Sequence, residues 1–286
     1  METLLKIGKD REESLDAMSA RKKLDKLTRD LKSLESLAVA FSGGADSAFL
    51  LKVARDILGK NVLAVTAHSA FFPEREFAAA AEFSRVHRVP HRVVLANALD
   101  IEGFSENPPD RCYLCKRKLF SKIAAVARES RLRHIADGSN FDDLDDHRPG
   151  ARAARELGIV TPLQDAKMTK QDIRVLSREM NLPTWDKPAD ACLATRIPCG
   201  QRITPEKLLA VERAEQLLLD AGFRQVRVRH HGDTARIEVA AEERTAFFQG
   251  DLMEKVYEEF RKLGFTYTAL DLRGYRTGSM NEGMKP

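Results

Sequence analysis

The chain has 286 residues, with 47 Lys plus Arg against 43 Asp plus Glu and a formal net charge of +4. Its 43% apolar and 31% charged content is that of a folded globular protein and excludes a disordered or fibrous chain. No apolar run approaches the ~18 residues needed to span a bilayer, and the opening METLLKIGKDREESLD has no apolar stretch of the kind a secretory leader carries.

In chain order, Leu15, Met18, Leu24, Leu27 and Leu31 fall at helical spacing and predict an amphipathic helix over about 13–33. An alternation follows. LAVAF (37–41) reads as a buried strand, 45–58 as a helix, 61–67 as a strand, 73–87 as a helix opened by Pro73, and 91–96 as a third strand. A helix from Tyr113 to Arg128 precedes a fourth strand at 133–138; helices at 151–158 and 170–180 flank an extended VTPL (160–163). This predicts an α/β fold with a doubly wound, mainly parallel sheet, whose ligands bind at the carboxyl ends of the strands. The pattern breaks at NLPTWDKPAD (181–190). Beyond it, a helix (204–220), strands (223–229 and 234–240), a helix (251–263) and a strand (265–272) predict a smaller α+β unit. The expected division is 1–185, with residues 1–34 as an N-terminal helix, and 186–286. Trp185 in the break reads as packing.

From Thr184 onward 16 basic residues balance 16 acidic ones, so the second part lacks the clustered positive charge of a nucleic-acid binder. Four cysteines are too few for a disulfide scaffold and fit a reducing cytoplasm.

The most informative segment is LAVAFSGGADSAFLL (37–51), a buried strand running through Ser42-Gly43-Gly44-Ala45-Asp46-Ser47 into a helix. Two glycines permit a tight turn and close approach of amides to an anion, and the helix start adds N–H groups and a positive dipole end. Ser42 and Ser47 supply hydroxyls, and Asp46 is a helix cap or a magnesium-side carboxylate. No lysine follows the second glycine, so this is not the loop of γ-phosphoryl transfer. The plainer alternative is a capped strand-to-helix turn. The segment resembles the PP-loop of the ATP pyrophosphatase superfamily (the adenine nucleotide alpha hydrolase-like fold), whose members cleave ATP between the α and β phosphates. That resemblance implies that Ser42, Gly43, Gly44, Asp46 and Ser47 hold the departing pyrophosphate. It places adenine against Ala40 and the Thr66–Ser69 stretch, with Thr66 and His68 as contacts.

NPPDRCYLCKRKLF (107–120) sets Cys112 and Cys115 on one face at a helix start, where the dipole favours thiolates. With Cys192 and Cys199 in ADACLATRIPCGQRIT (189–204), three readings stay open: a four-cysteine zinc site, an iron–sulfur cluster, or ordinary buried thiols. In VRVR, Arg227 and Arg229 alternate onto one strand face suited to phosphate or carboxylate, or simply to solvent. Glu238 is placed to orient them across the hairpin.

The PP-loop, NPPDRCYLCK, DGSNFDDLDDHRPG, ACLATRIP, VRVRHHGDTARIE and LDLRGYRTGSMN together resemble the LarE family over about residues 35–283. These are ATP-dependent sulfur transferases of nickel-pincer nucleotide biosynthesis. The resemblance implies adenylylation of a carboxylate of pyridinium-3,5-biscarboxylic acid mononucleotide, followed by replacement of oxygen with sulfur, performed twice. It implies ATP and Mg2+ as cofactors, with Arg111, Gly138 and Asn140 joining the nucleotide site and Arg196, Arg227, Arg229 and Glu238 the substrate site. It implies a homo-oligomer acting on a small-molecule nucleotide in the cytoplasm, without membrane or nucleic acid. One branch of the family sacrifices the sulfur of a single cysteine, matching Cys192. Another carries sulfide on a [4Fe-4S] cluster held by three, and the trio Cys112, Cys115 and Cys192 favours that branch. Cys199 has no assigned role. Rival readings are a tRNA-thiolating relative, a non-catalytic nucleotide- or zinc-binding module, and an amidating ligase, which would need no cysteines.

Overall fold

The structure, a computed structural model, describes residues 2–144, 149–188, 191–276 and 278–281, with side chains from residue 17 to residue 280. The side chain of Leu15 in the expected helical stripe, Asp145 to Arg148 of the DGSNFDDLDDHRPG motif and Thr277 of the last motif lie outside this description. The chain forms two compact units. One comprises residues 1–69, 74–96 and 112–189; the other comprises 70–73, 97–111 and 190–286. The second unit therefore draws in two segments that a linear division at 185/186 assigns to the first. The longer of them, 97–111, lies in the chain between a strand and a helix of the first unit, and its backbone bonds run instead to residues 200 and 203: Gly200 N–H donates to Asn107 O and Ile203 N–H to Ser105 O.

In the first unit, helix α1 (Glu2–Leu34) leads into β1 (Leu37–Ala40), α2 (Ala45–Leu58), β2 (Val62–His68), α3 (Glu74–Val86) and β3 (His91–Leu95). Helix α4 (Arg111–Glu129), β4 (His134–Ala136), α5 (Pro149–Glu156), α6 (Pro162–Asp165) and α7 (Lys170–Glu179) complete it. The sheet is parallel throughout, in the order β3-β2-β1-β4. The chain builds outward from β1 through β2 to β3, then returns to lay β4 on the other side of β1. The crevice outside the carboxyl ends of β1 and β4 is the switch point where open α/β sheets bind ligands. Strands β1 and β2 are apolar and buried almost throughout, as a sheet covered on both faces requires. One core joins Leu27 and Leu31 of α1, Phe49, Leu50 and Leu51 of α2, and Ile173 and Leu176 of α7; another joins Leu63 and Val65 to Phe120 and Ile123 of α4.

Two local expectations are corrected. Met18 is more than half exposed, so the buried stripe of α1 runs through Ala20, Leu27 and Leu31 instead. The VTPL segment is not extended beyond Val160: Pro162 starts the short helix α6, the first-turn position its fixed φ favours.

In the second unit, helix α8 (Pro205–Asp220), strands β5 (Val226–His231) and β6 (Thr234–Val239), helix α9 (Leu252–Lys262) and strand β7 (Tyr267–Leu270) form a three-stranded sheet with its helices. The order is β5-β6-β7, with β5 and β6 an antiparallel hairpin and β7 parallel to β6. Val226, Val228, Ala235, Ile237 and Val239 face a core with Ala214 and Leu218 of α8 and Phe260 of α9. Among the described residues no helix is long and apolar enough to cross a membrane.

Candidate functional site

The loop after β1 is built from its own small side chains. Ser42 N–H donates to Ser47 Oγ (3.4 Å), the two hydroxyls lie 3.1 Å apart, Gly44 N–H donates to Ser42 Oγ (3.4 Å), and the Ser47 hydroxyl donates to Gly44 O (3.2 Å). Gly43 has φ +77°, and a Cβ there would press on Ala80 Cβ and Glu76 O, both at 3.2 Å. Gly44 is the N-cap of α2 and has no side chain with which to cap it. The start of α2 therefore carries no side-chain cap, at the positive end of a 14-residue helix that favours an anion. Asp46 lies within that first turn and is not the cap; its carboxylate accepts instead from Asn140 Nδ2 at 3.0 Å.

Asn140 belongs to the loop after β4, across the switch point. It is fully buried, and its Oδ1 has no hydrogen-bond partner among the described residues. Gly138, in the same loop, packs directly on the start of α2: an added Cβ would lie 2.9 Å from Ser47 N and 3.0 Å from Ser47 Cα. Ala40, Ser42, Gly43, Gly44, Asp46, Ser47, Gly138 and Asn140 are therefore gathered at one crevice. Two lysines outside the expected set join it. Lys187 Nζ donates to Gly43 O (3.0 Å) and pairs with Glu76 (2.6 Å), and Lys116 Nζ lies 3.5 Å from the buried carboxylate of Asp137. Lys187 sits in the proline-rich break and Lys116 directly follows Cys115, so adjacency to a motif is the one sequence signal for either.

The end of β2 is arranged differently from the expectation of adenine contacts. Thr66 is 4% exposed and donates its hydroxyl to Phe41 O (2.8 Å), while His91 Nε2 lies 2.8 Å from the same oxygen atom of Thr66. With the Thr66 proton committed to Phe41, His91 acts as donor, a role its neutral ring fills; burial holds its pKa below the usual histidine value. Thr66 thus braces the backbone leading into the loop. His68 is more open, with Nε2 2.9 Å from Glu74 and its ring tilted against that of Phe77, the centroids 4.6 Å apart.

Cys112 and Cys115 lie in the first turns of α4, both half-buried, in the first unit; Cys192 and Cys199, also half-buried, belong to the second. Among the described residues no three His, Cys, Asp or Glu side chains are gathered to hold a metal ion. A magnesium ion makes a smaller demand, since one carboxylate plus substrate phosphates commonly hold it. Asp46, in the first turn of α2, fits that.

In the second unit the expected substrate arginines are committed to protein partners. Arg196 is fully buried and donates from Nε and Nη2 to the two oxygens of Glu215 (2.8 and 3.0 Å). Arg229, 5% exposed, donates from Nε and Nη2 to Glu238 (3.0 and 2.7 Å) and from Nη1 to Thr195 O (3.2 Å). Arg227, 6% exposed, lies over the Tyr275 ring (5.3 Å) and donates to Val226 O. Glu238, fully buried, gathers Arg229, Arg236 and Ser279, although its register partner on β5 is Arg227. Arg236 and Arg276 both pair with Asp271, whose carboxyl the hydrogen bonds and cations around it hold below its usual pKa against the opposing effect of burial. Arg111 bonds Asn107 Oδ1, and Cys199 Sγ donates to Asn107 O (3.3 Å).

No family model matches the chain. It is 36% identical over 260 residues to the pyridinium-3,5-bisthiocarboxylic acid mononucleotide synthase of Lactiplantibacillus plantarum, covering 90% of this chain and 92% of that protein. The chain belongs to the LarE family. An uncharacterised protein of Synechocystis is 39% identical over 91% of the chain and 97% of its own length. A component of the glutamine-hydrolyzing GMP synthase of Thermoplasma acidophilum is 29% identical over 64% of the chain and 63% of its own length, consistent with the parallel sheet and loop described above. LarE membership and this shared PP-loop make the chain an ATP-using enzyme.

Proposed function

We propose that the chain is an ATP-dependent sulfur transferase that converts a carboxylate of pyridinium-3,5-biscarboxylic acid mononucleotide into a thiocarboxylate, forming AMP and pyrophosphate. The observation that carries this reading is the uncapped start of α2 beside Asp46 at the sheet's switch point. A substrate carboxylate oxygen attacks the α-phosphorus of ATP and the bond to the β-phosphate breaks. The loop amides and the Ser42 and Ser47 hydroxyls take up the charge of the departing pyrophosphate. Lys187 holds the Gly43 carbonyl, which keeps the loop's amides turned toward that charge. Magnesium, held by Asp46 with the phosphates, would supply further charge neutralisation.

The acyl-adenylate is then open to sulfur, with AMP as leaving group. Cys192 is the sulfur-handling residue in either family route. In the sacrificial route its thiolate displaces AMP to form a thioester. Loss of the Cα proton then breaks the Cβ–S bond, leaving dehydroalanine in the chain and sulfur on the substrate. The trio Cys112, Cys115 and Cys192 supports the alternative, a [4Fe-4S] cluster as sulfide carrier, by residue content alone. The reading includes a cytoplasmic homo-oligomer acting on a small molecule, for which the family resemblance and the cysteine content are the support.

The test is incubation with ATP, magnesium and the dicarboxylate nucleotide, with products read by mass spectrometry. Exchange of oxygen for sulfur in the nucleotide supports the reading, and its absence with both sulfide-reconstituted and freshly purified protein contradicts it. Loss of the elements of hydrogen sulfide from Cys192 after one turnover identifies the sacrificial route. A brown protein turning over repeatedly with added sulfide identifies the cluster.

A further inference from the structure

Among the described residues Arg196 is the largest fully buried side chain. A guanidinium out of water must be fully bonded to be tolerated, and its bonds run to one helix and one short loop. Nε and Nη2 grip the two oxygens of Glu215, itself fully buried. Nη1 donates to Ala191 O (2.5 Å), to Cys192 O (3.2 Å) and to Thr195 Oγ1 (3.1 Å). Glu215 Oε1 also accepts from Val228 N–H (3.0 Å), which fixes the ion pair to β5. The same loop is tied at three further points: Leu193 N–H donates to Phe71 O (2.8 Å), Thr195 O accepts from Arg229, and Asn107 Nδ2 donates to Ile197 O (3.2 Å) and Pro198 O (2.7 Å).

We infer that Arg196 is a positioning residue that holds Cys192 in place through the carbonyls of Ala191 and Cys192, with Glu215 setting the guanidinium. The inference rests on the proposed sulfur chemistry of Cys192. It removes Arg196 from the set of groups that grip substrate, because a guanidinium closed to solvent and bonded on both edges has no edge left for a phosphate. Only arginine has the planar fork that bonds a carboxylate with one edge and two carbonyls with the other; a lysine ammonium cannot span them.

The test compares wild type with Arg196→Lys in two measurements on the full chain. The first is hydrogen–deuterium exchange of the peptide containing residues 191–197, without ligands. Exchange is expected to rise roughly tenfold while peptides of β2 and α9 stay as in wild type. The second is sulfur transfer in a single turnover, which either sulfur route permits. Its rate constant is expected to fall roughly tenfold, with the half-saturating concentrations of ATP and of the nucleotide within about twofold and pyrophosphate release retained. A raised half-saturating nucleotide concentration with unchanged exchange would make Arg196 a substrate ligand and overturn the inference, as would unchanged exchange and rate. If Arg196→Lys does not fold, Glu215→Gln, which keeps shape and one acceptor, is read in the same way. If wild type shows no sulfur transfer, the functional reading fails, while the exchange measurement still decides whether Arg196 holds the loop.

Discussion

In the first unit the candidate groups are placed by backbone: a glycine at φ +77°, an N-cap without a side chain, and Gly138 pressed against Ser47. In the second unit they are placed by buried charge, with Arg196 on Glu215 and Arg229 on Glu238, all nearly closed to water. The first arrangement sets a turn of small residues at a helix start, and the second commits charged side chains to protein partners. An arginine in a motif is therefore not by its presence a ligand. Arg196 and Arg229 are bonded to buried carboxylates, whereas the glycines and serines after β1 bond one another in a tight turn.

The contrast is most exposed to failure at its buried ion pairs. Glu238→Ala leaves Arg229 buried without its partner and is expected to cost about 3–5 kcal/mol of stability, read by urea unfolding. An effect below about 1 kcal/mol would mean that solvent already reaches the pair. Asn107→Ala removes two bonds to the 197–198 carbonyls and the acceptor for Arg111. It is expected to cost about 1–3 kcal/mol in the same assay.

Gly138→Ala should act on ligand as well as fold. The new Cβ meets the Ser47 backbone, and ATP affinity by calorimetry is expected to weaken about tenfold, or ~1.4 kcal/mol. Unfolding with no effect on ATP would place the crevice elsewhere. Lys187→Met, which frees the Gly43 carbonyl, is expected to slow pyrophosphate release a few-fold, about 1 kcal/mol in the barrier.

The smallest effect is on pH. Burial holds His87, His91, His230 and His231 below the usual histidine pKa. The unfolded chain therefore binds protons before the folded one. Stability is full above the unfolded value, about 6.5, and declines as pH falls below it toward the lowered folded values. Thermal unfolding scans from about pH 7.5 to about 5.5 should show a falling midpoint, and a rising one would reverse the sign.

Much of the first unit is legible in the sequence because its signals are local. Buried runs such as LAVA and VLAVT, the glycine pair and the alternation of strand and helix dictate both the sheet and the loop's place on it. What stays hidden depends on distance along the chain. Lys187 reaches Gly43 across 144 positions, Asn107 anchors residues 197 and 198, and Thr66 turns inward to Phe41 instead of outward to a ring. The fate of Arg196 is illegible for the same reason, since Glu215 lies on a separate helix and no spacing rule pairs them. Glu238 does lie near the arginines, as its strand position suggests, but it engages Arg229 and Arg236, because side-chain length and not strand register decides which guanidinium it meets.

All of the proposed chemistry depends on the amides after β1 receiving pyrophosphate cut from ATP. Chromatographic separation of the nucleotide products of labelled ATP, with and without the dicarboxylate nucleotide, decides this. AMP and pyrophosphate should form, and only when that nucleotide is present; ADP and inorganic phosphate as the products would contradict the assignment.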